Sequence, residues 1–207
     1  MSFVIDYQLF PCISYTKKLT EYKHIEFEAY ESFQKMSFRN RYVISTANGL
    51  LSLTVPVLGG REQKTLIREV RIDHSTDWQT KHWRSLSSAY RKASFFEFYS
   101  GDIRNLIFSR EKSLFSFNIK ILEWLCKALK TNSVIGFTEK FISCYNDETD
   151  YRNYFLPQSF QKNINNWSPH YSQVFEDRIG FQPNLSIIDL ILSEGPNSIN
   201  LLNQYSK

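Results

Sequence analysis

Apolar and polar positions follow a strand-like pattern in the first third of the chain and a helical one afterwards. Phe3-Val4-Ile5 is a short apolar run that predicts a buried strand. A turn at Phe10-Pro11 precedes a polar stretch, residues 14–22, that predicts a helix. Ile25, Phe27 and Ala29 then alternate with His24, Glu26 and Glu28, the period of a half-buried strand. Strand, turn, helix, strand is the opening of an α/β sheet. β-rich flanks from Tyr42 to Val57 bracket Asn48-Gly49, the strongest short-range hairpin signal. Leu66–Ile72 predicts a further short strand, and Leu58-Gly59-Gly60-Arg61 a flexible loop before it.

From Trp83 the spacing lengthens. Trp83, Leu86, Tyr90 and Ala93 share one helical face, and another helix is predicted over 101–108. The clearest helix runs from Leu114 to Leu129, where Leu114, Phe117, Ile121, Leu122, Leu125 and Leu129 form a stripe. Its Lys127 and Lys130 suit the negative end of the helix dipole. Val134–Phe137 predicts a strand, residues 146–166 a polar, Asn-rich loop or lid, and Ile187–Leu192 a helix. The fold class that follows is α/β: a Rossmann-like, mostly parallel sheet with a β-hairpin insertion and a helical second half. With no repeat or low-complexity break, residues 1–207 are expected to form one domain.

Composition narrows the class. The chain is 42% hydrophobic and 22% charged, ordinary for a globular protein. Its 16% aromatic content, with 17 Phe and 12 Tyr, is high and suits both a core and a cleft that stacks on rings. A net charge of +4 fits a small anionic ligand and falls short of a nucleic-acid footprint. Cys12, Cys126 and Cys144 make no C-x-x-C pair, so neither a zinc knuckle nor a disulfide framework is expected. No signal-peptide pattern and no run of about 18 apolar residues occurs, which predicts a cytoplasmic protein. No G-x-x-x-x-G-K-[ST], G-x-G-x-x-G or G-x-S-x-G is present, against P-loop, classical dinucleotide and serine-hydrolase chemistry. His24, His74, His82 and His170 are scattered and have no metal-ligand spacing, and no motif names a cofactor.

Candidate chemistry gathers in a few places. Gln34-Lys35-Met36-Ser37-Phe38-Arg39-Asn40-Arg41 brings three cations and two amides to the foot of the hairpin, a composition suited to gripping an anion. A solvated turn is the plainer reading of the same residues. Lys81-His82 is expected in the first turn of a helix, where free N–H groups favour phosphate or carboxylate; a half-buried structural His is the alternative. His170, between Pro169 and Tyr171, is a candidate base, and an ordinary loop contact is the alternative. Ser186-x-x-Asp189 reads as a capping box, with a site role for Asp189 the second possibility. Cys12 is read as a small apolar filler. In an α/β sheet, Phe10–Tyr15 and Gln34–Arg41 both emerge at the carboxyl ends of strands, where ligands lie.

Q-K-x-S-F-R-N-R at 34–41, followed by A-N-G-x-L-S-L-T-V-P-V, resembles the WbqC-like proteins of bacterial surface-polysaccharide clusters. Leu9-Phe10-Pro11-Cys12-Ile13-Ser14-Tyr15, Lys81-His82-Trp83, the run Ser88–Tyr99, Asn118, Pro169–Gln173 and Asn184–Leu190 agree in the same order, so the resemblance is expected over nearly the whole chain. A glycine-containing serine motif of longer members is lacking, with Tyr151–Leu156 in its place.

The resemblance implies an enzyme of O-antigen or capsule biosynthesis that transfers an acyl or glycyl group to the amine of a nucleotide-linked sugar. It would use Lys35, Arg39 and Arg41 on the diphosphate, His82 or His170 as base with Asp189 in the catalytic set, and Phe10, Pro11, Tyr15, Tyr90 and Tyr171 as walls. Gln34, Asn40 and Gln173 would read hydroxyls, and Lys81 would add charge. Two other readings stay open: an ATP-dependent, nucleotidylyltransferase-like or adenylate-forming ligase, and a non-catalytic nucleotide-sugar-binding accessory protein.

Overall fold

Parallel strands form one half of the molecule. The computed structural model describes residues 2–59, 65–145, 149–157 and 167–204. Strand β1 (Ser2–Ile5) leads through helix α1 (Ile13–Glu21) to β2 (His24–Phe27), and β5 (Val134–Phe137) joins much later. The three lie in the order β1-β2-β5, all parallel, with Ile5 beside Phe27 and Phe27 beside Phe137. Beyond β1 the chain at Asp150 adds a single parallel bridge to Val4. There the Val4 amide donates to Thr149 O at 2.8 Å and the Tyr151 amide to Val4 O at 2.8 Å. That part of the expected 146–166 loop therefore extends the sheet, while 146–148 and 158–166 lie outside the described residues, as do Gly60 and Arg61.

Because side chains alternate along a strand, Phe3, Ile5, Ile25 and Phe27 share one face of the sheet. They pack with Leu19 of α1 and Leu122 of helix α4 (Leu114–Leu129) in one apolar cluster. A larger cluster gathers on the other side of α4. It contains the antiparallel hairpin β3 (Arg41–Thr46) and β4 (Gly49–Thr54), helices α2 (Trp78–Tyr90) and α3 (Phe96–Ile107), and α6 (Ile187–Glu194). Short helices α5 (Glu176–Ile179) and α7 (Ser198–Asn203) flank α6. The predicted α4 stripe is buried throughout, and Trp124 adds to it, so this helix is walled by core on two sides. Each such side chain contributes on the order of 1.5–3 kcal/mol of burial. Ser113 caps the start by accepting from the Ser116 amide, and Lys130 ends the helix in a left-handed conformation.

Four elements differ from the pattern reading. Leu66–Ile72 is not a strand: Ile67–Glu69 forms a 3-10 turn, and isolated bridges tie its flanks to Ser32, Val57 and Ser113. Its apolar residues are buried, but by three different segments, none offering a continuous ladder. Helix α2 starts at Trp78, so its buried stripe is Trp78, His82, Leu86, Ala89 and Tyr90, with Trp83 only half-buried. In the hairpin Thr46 pairs with Gly49, so Ala47-Asn48 is the two-residue turn and Gly49, at φ 105°, opens β4. The helix read over 101–108 is the second half of α3.

Gly195, just after α6, has φ 55°, and a Cβ there would lie 2.4 Å from the Phe95 ring. Gly180 has φ 72° with open space around it. Gly180→Ala is expected to cost roughly 1 kcal/mol for its positive φ, and Gly195→Ala about 1–3 kcal/mol more from overpacking. Urea denaturation of both variants checks this. Equal losses would mean that the contact with Phe95 is not the constraint.

Candidate functional site

Acidic and hydroxyl side chains stand at the carboxyl ends of the parallel strands. Asp6 follows β1, Glu28 follows β2 and Thr138 follows β5. Asp6 and Glu28 are fully buried, and Glu31, one turn of chain further on, is almost so. Thr138 Oγ1 donates to Glu28 Oε1 at 2.8 Å and accepts from the Ala29 amide at 3.0 Å. Two guanidinium groups answer the carboxylates. Arg39, with no exposed surface, grips Glu31 through Nε and Nη2 at 2.7 and 2.6 Å. Its Nη2 also donates to Asn153 Oδ1 at 2.9 Å, and its Nη1 lies 3.6 Å from Asp6 Oδ2. Arg152 bonds Asp150 in the same forked manner and reaches Glu28 Oε2 at 3.1 Å, between the rings of Phe141 and Tyr145.

Three buried carboxylates thus face two cations, one of them shared with Asp150. Burial, with Asp6 and Glu28 adding to it, pushes the Glu31 carboxyl up to about 6 in spite of Arg39. Burial pulls Arg39 down, but Asp6 and Glu31 outweigh it and hold the guanidinium charged. Among the described residues no three His, Cys, Asp or Glu side chains converge as metal ligands do.

The chain belongs to the WbqC-like protein family. The family's sequence profile matches residues 7–152, which takes in Glu28, Glu31, Arg39 and Arg152 and stops short of the blocks at 169–173 and 184–190. The uncharacterized protein Rv1507c of Mycobacterium tuberculosis is 42% identical over 73 residues, 34% of this chain and 31% of that protein. The matched stretch therefore spans under a third of that relative's length. No solved structure matches the chain significantly.

The WbqC-like segment 34–41 is divided by burial. Gln34 is exposed, and Lys35 and Arg41 are half-buried, with Arg41 Nη2 3.6 Å from Met36 Sδ. Asn40 Nδ2 donates to Val55 O at 2.8 Å and ties the segment to the hairpin. Of the three cations in the segment, Arg39 alone is fully buried. Tyr15 OH donates to Asp6 O at 2.6 Å, so Tyr15 supports the carboxylate centre from behind. Phe10 and Pro11 are pinned to the start of α6: Phe10 O accepts from Ser186 Oγ and Pro11 O from the Ile187 amide. Cys12 is buried, which pushes its thiol up to about 11, as befits a filler.

Four residues singled out from distant parts of the chain do meet. Asp189 accepts from Tyr90 OH and Tyr171 OH, each at 2.7 Å, and from Ser45 Oγ at 3.2 Å. Gln173 Nε2 donates to Tyr171 OH at 3.1 Å. Ser186 caps α6 through the Ile188 amide, but Asp189 does not close a capping box, because its carboxyl points at these hydroxyls. Burial raises the Asp189 pKa although all three donors oppose it.

The histidines part company. His82 lies in the second turn of α2, where the Lys81 amide is already bonded to Asp77 O, so the expected free N–H groups are not at Lys81-His82. Its Nε2 donates to Thr54 O at 3.2 Å and its Nδ1 accepts from Tyr42 OH at 3.3 Å, the neutral tautomer with both nitrogens used. Lys81 is exposed beside it, on an open groove of about 510 Å³. His170 is exposed, stacked on Phe181 and 3.1 Å from Glu176.

Asp6, Glu28, Glu31 and Arg152 escaped the motif search. Their signal was positional: Asp6 and Glu28 are the first charged side chains after each strand's last apolar residue, where a parallel sheet places its ligands.

Two outcomes follow from this burial. Arg39→Met leaves Glu31 and Asp6 unpaired and is expected to cost about 3–5 kcal/mol, whereas Arg41→Ala stays within roughly 1 kcal/mol; thermal melts of both variants decide. Burial lowers the His82 pKa from 6.5 to about 4. The unfolded chain therefore binds a proton at this site before the folded one does. The resulting stability is complete above about pH 6.5 and drains away as pH falls to about 4, by about 3 kcal/mol. Denaturant titrations across that range should show this slope in the wild type and lose it in His82→Gln.

Proposed function

We propose that this WbqC-like chain is a transferase of bacterial surface-polysaccharide assembly that acylates the amine of a nucleotide-linked amino sugar at the Asp6–Glu31–Arg39 centre. The observation that carries this reading is the position of that centre: buried, titratable and at the carboxyl ends of parallel strands. The Rossmann-like reading of the sheet rests on the same feature, since such sheets take ligands there.

The buried carboxylates attract the substrate ammonium, and Glu31 has a pKa near enough to neutrality to act as base. Glu31 takes one proton from the ammonium, and the freed amine lone pair attacks the carbonyl carbon of an activated acyl donor, a thioester or ester. The C–N bond forms as the bond to the leaving group breaks, and the thiolate or alkoxide departs with the bonding pair and takes up the second proton that the nitrogen loses. Arg39 keeps Glu31 oriented, and Lys35 and Arg41, at the outer parts of the same segment, hold the diphosphate. His82, neutral and with both nitrogens bonded, has no part in proton transfer.

A thermal-shift screen of nucleoside-diphosphate amino sugars, the parent hydroxy sugars and ATP tests the reading. The amino-sugar nucleotides should stabilise by about 2.7 kcal/mol at a hundred times Kd. Turnover with an acyl thioester should rise with pH through an apparent pKa near 6, because Glu31 must be ionised to accept the proton. Glu31→Gln should bind substrate and lose turnover. Stabilisation by ATP and not by nucleotide sugars would instead make the protein an adenylate-forming ligase. Binding without turnover, unchanged by Glu31→Gln, would make it an accessory protein.

A further inference from the structure

Buried polar atoms in folded proteins nearly always have partners. Two that lack them in this chain belong to Gln8 and Arg39, side chains that both reach Asp6. Gln8 is buried, and its Nε2 donates to Phe155 O at 3.0 Å. A carbonyl needs a donor, so the amide orientation is fixed and Oε1 is the unpartnered end. Arg39 Nη1, on a side chain with no exposed surface, is likewise unpartnered by any hydrogen bond.

Both side chains approach the same oxygen, and neither closes on it. Gln8 Nε2 stands 3.5 Å and Arg39 Nη1 3.6 Å from Asp6 Oδ2, against 2.6–2.7 Å for the Arg39–Glu31 pair. Asp6 Oδ1 is already held by the Asn153 amide at 2.9 Å. The alternation that continues past β1 keeps residues 6 and 8 on one side of the chain and sends Tyr7 to the other, where its ring stacks on Phe27. What remains on the side chains that meet at Asp6 is one unpartnered donor on Arg39, one unpartnered acceptor on Gln8 and one loosely held carboxylate oxygen.

We infer that Gln8, Asp6 and Arg39 form a subsite for a vicinal amino alcohol, with Gln8 Oε1 and Asp6 Oδ2 accepting from the amine and Arg39 Nη1 donating to the neighbouring hydroxyl oxygen. Gln8 is then the residue that selects an amine over a hydroxyl. A hydroxyl has one hydrogen for two acceptors, whereas an amine or ammonium satisfies both. This assignment rests on the amino-sugar reading above and adds the residues that recognise the reacting group.

The test uses free glucosamine and glucose as probes, so that it does not depend on nucleotide binding. Wild-type protein, Gln8→Leu and Gln8→Glu are compared by thermal shift and titration calorimetry. Glucosamine should bind the wild type about tenfold or more tightly than glucose. Gln8→Leu should bring the two sugars within about threefold, and Gln8→Glu, which keeps an acceptor there, should retain the preference. Equal binding of both sugars by the wild type, or a preference undiminished in Gln8→Leu, would falsify the subsite. If glucosamine is preferred while no nucleotide sugar binds, the subsite stands and the nucleotide part of the proposed function falls. If nucleotide sugars bind without regard to the amine, the subsite alone falls.

Discussion

The buried pairing of Arg39 with Glu31 and Asp6 is the constraint on which the rest of the structure depends. Each partner comes from a different element: Asp6 from the end of β1, Glu31 from the loop after β2, Asn153 from the segment beside β1. The Arg39 backbone is held as well, since its carbonyl accepts from Asn118 Nδ2 on α4 at 2.9 Å. One residue therefore joins the sheet, the hairpin that starts at Arg41 and the central helix. A forked guanidinium–carboxylate pair suits this role because its geometry is fixed at both ends. Apolar residues of similar volume in place of Arg39 and both carboxylates together could match this stability, but they would leave no charged group at the strand ends.

How much of the fold was legible depended on whether one neighbour or several satisfy a segment. Helix α4 and strand β5 were read to their observed ends, because a continuous apolar stripe and a capped run leave little choice. Leu66–Ile72 has the composition of a strand, but its backbone bonds go to three unrelated places. No local pattern reports that. The start of α2 was placed too late because Trp78, an aromatic after a polar turn, looks like loop until its packing against His82 and Phe117 is known. Asn48-Gly49 marked the hairpin correctly and its turn one residue late. Thr46 Oγ1, bonded to the Asn48 amide and to Gly49 O, stabilises the Ala47-Asn48 alternative.

The surroundings of the candidate site residues were only partly legible for a related reason. Composition shows a cation but not where its charge is spent. Arg39 and Arg41 are two residues apart and chemically alike, yet one is fully buried against carboxylates while the other lies half-buried beside Met36. His82 had the neighbours of an anion site, but a shift in the helix start moves it from the free N–H groups to the core-facing stripe. Asp189, Tyr90, Tyr171 and Gln173 were each chosen separately. Their meeting in one network is information that only the tertiary structure holds, because they are brought together by the packing of α6 on α2 and the hairpin.

Two buried acidic centres compare as sites for the proposed chemistry, and their partners separate them. Asp189 is held by neutral hydroxyls from Tyr90, Tyr171 and Ser45, which use both oxygens and fix the carboxyl rotamer. With no cation beside it, ionising Asp189 has to overcome burial with hydroxyl donors alone, and its pKa rises accordingly. Such a group locks three elements together, and no cation among its described neighbours maintains its charge. The Asp6–Glu31 pair is the opposite case. Arg39 maintains the charge, one Asp6 oxygen is only loosely approached, and adjacent donor and acceptor atoms lack partners. The proposed chemistry needs both a maintained charge and an unfilled coordination position, and of the two centres only the one at the strand ends has both.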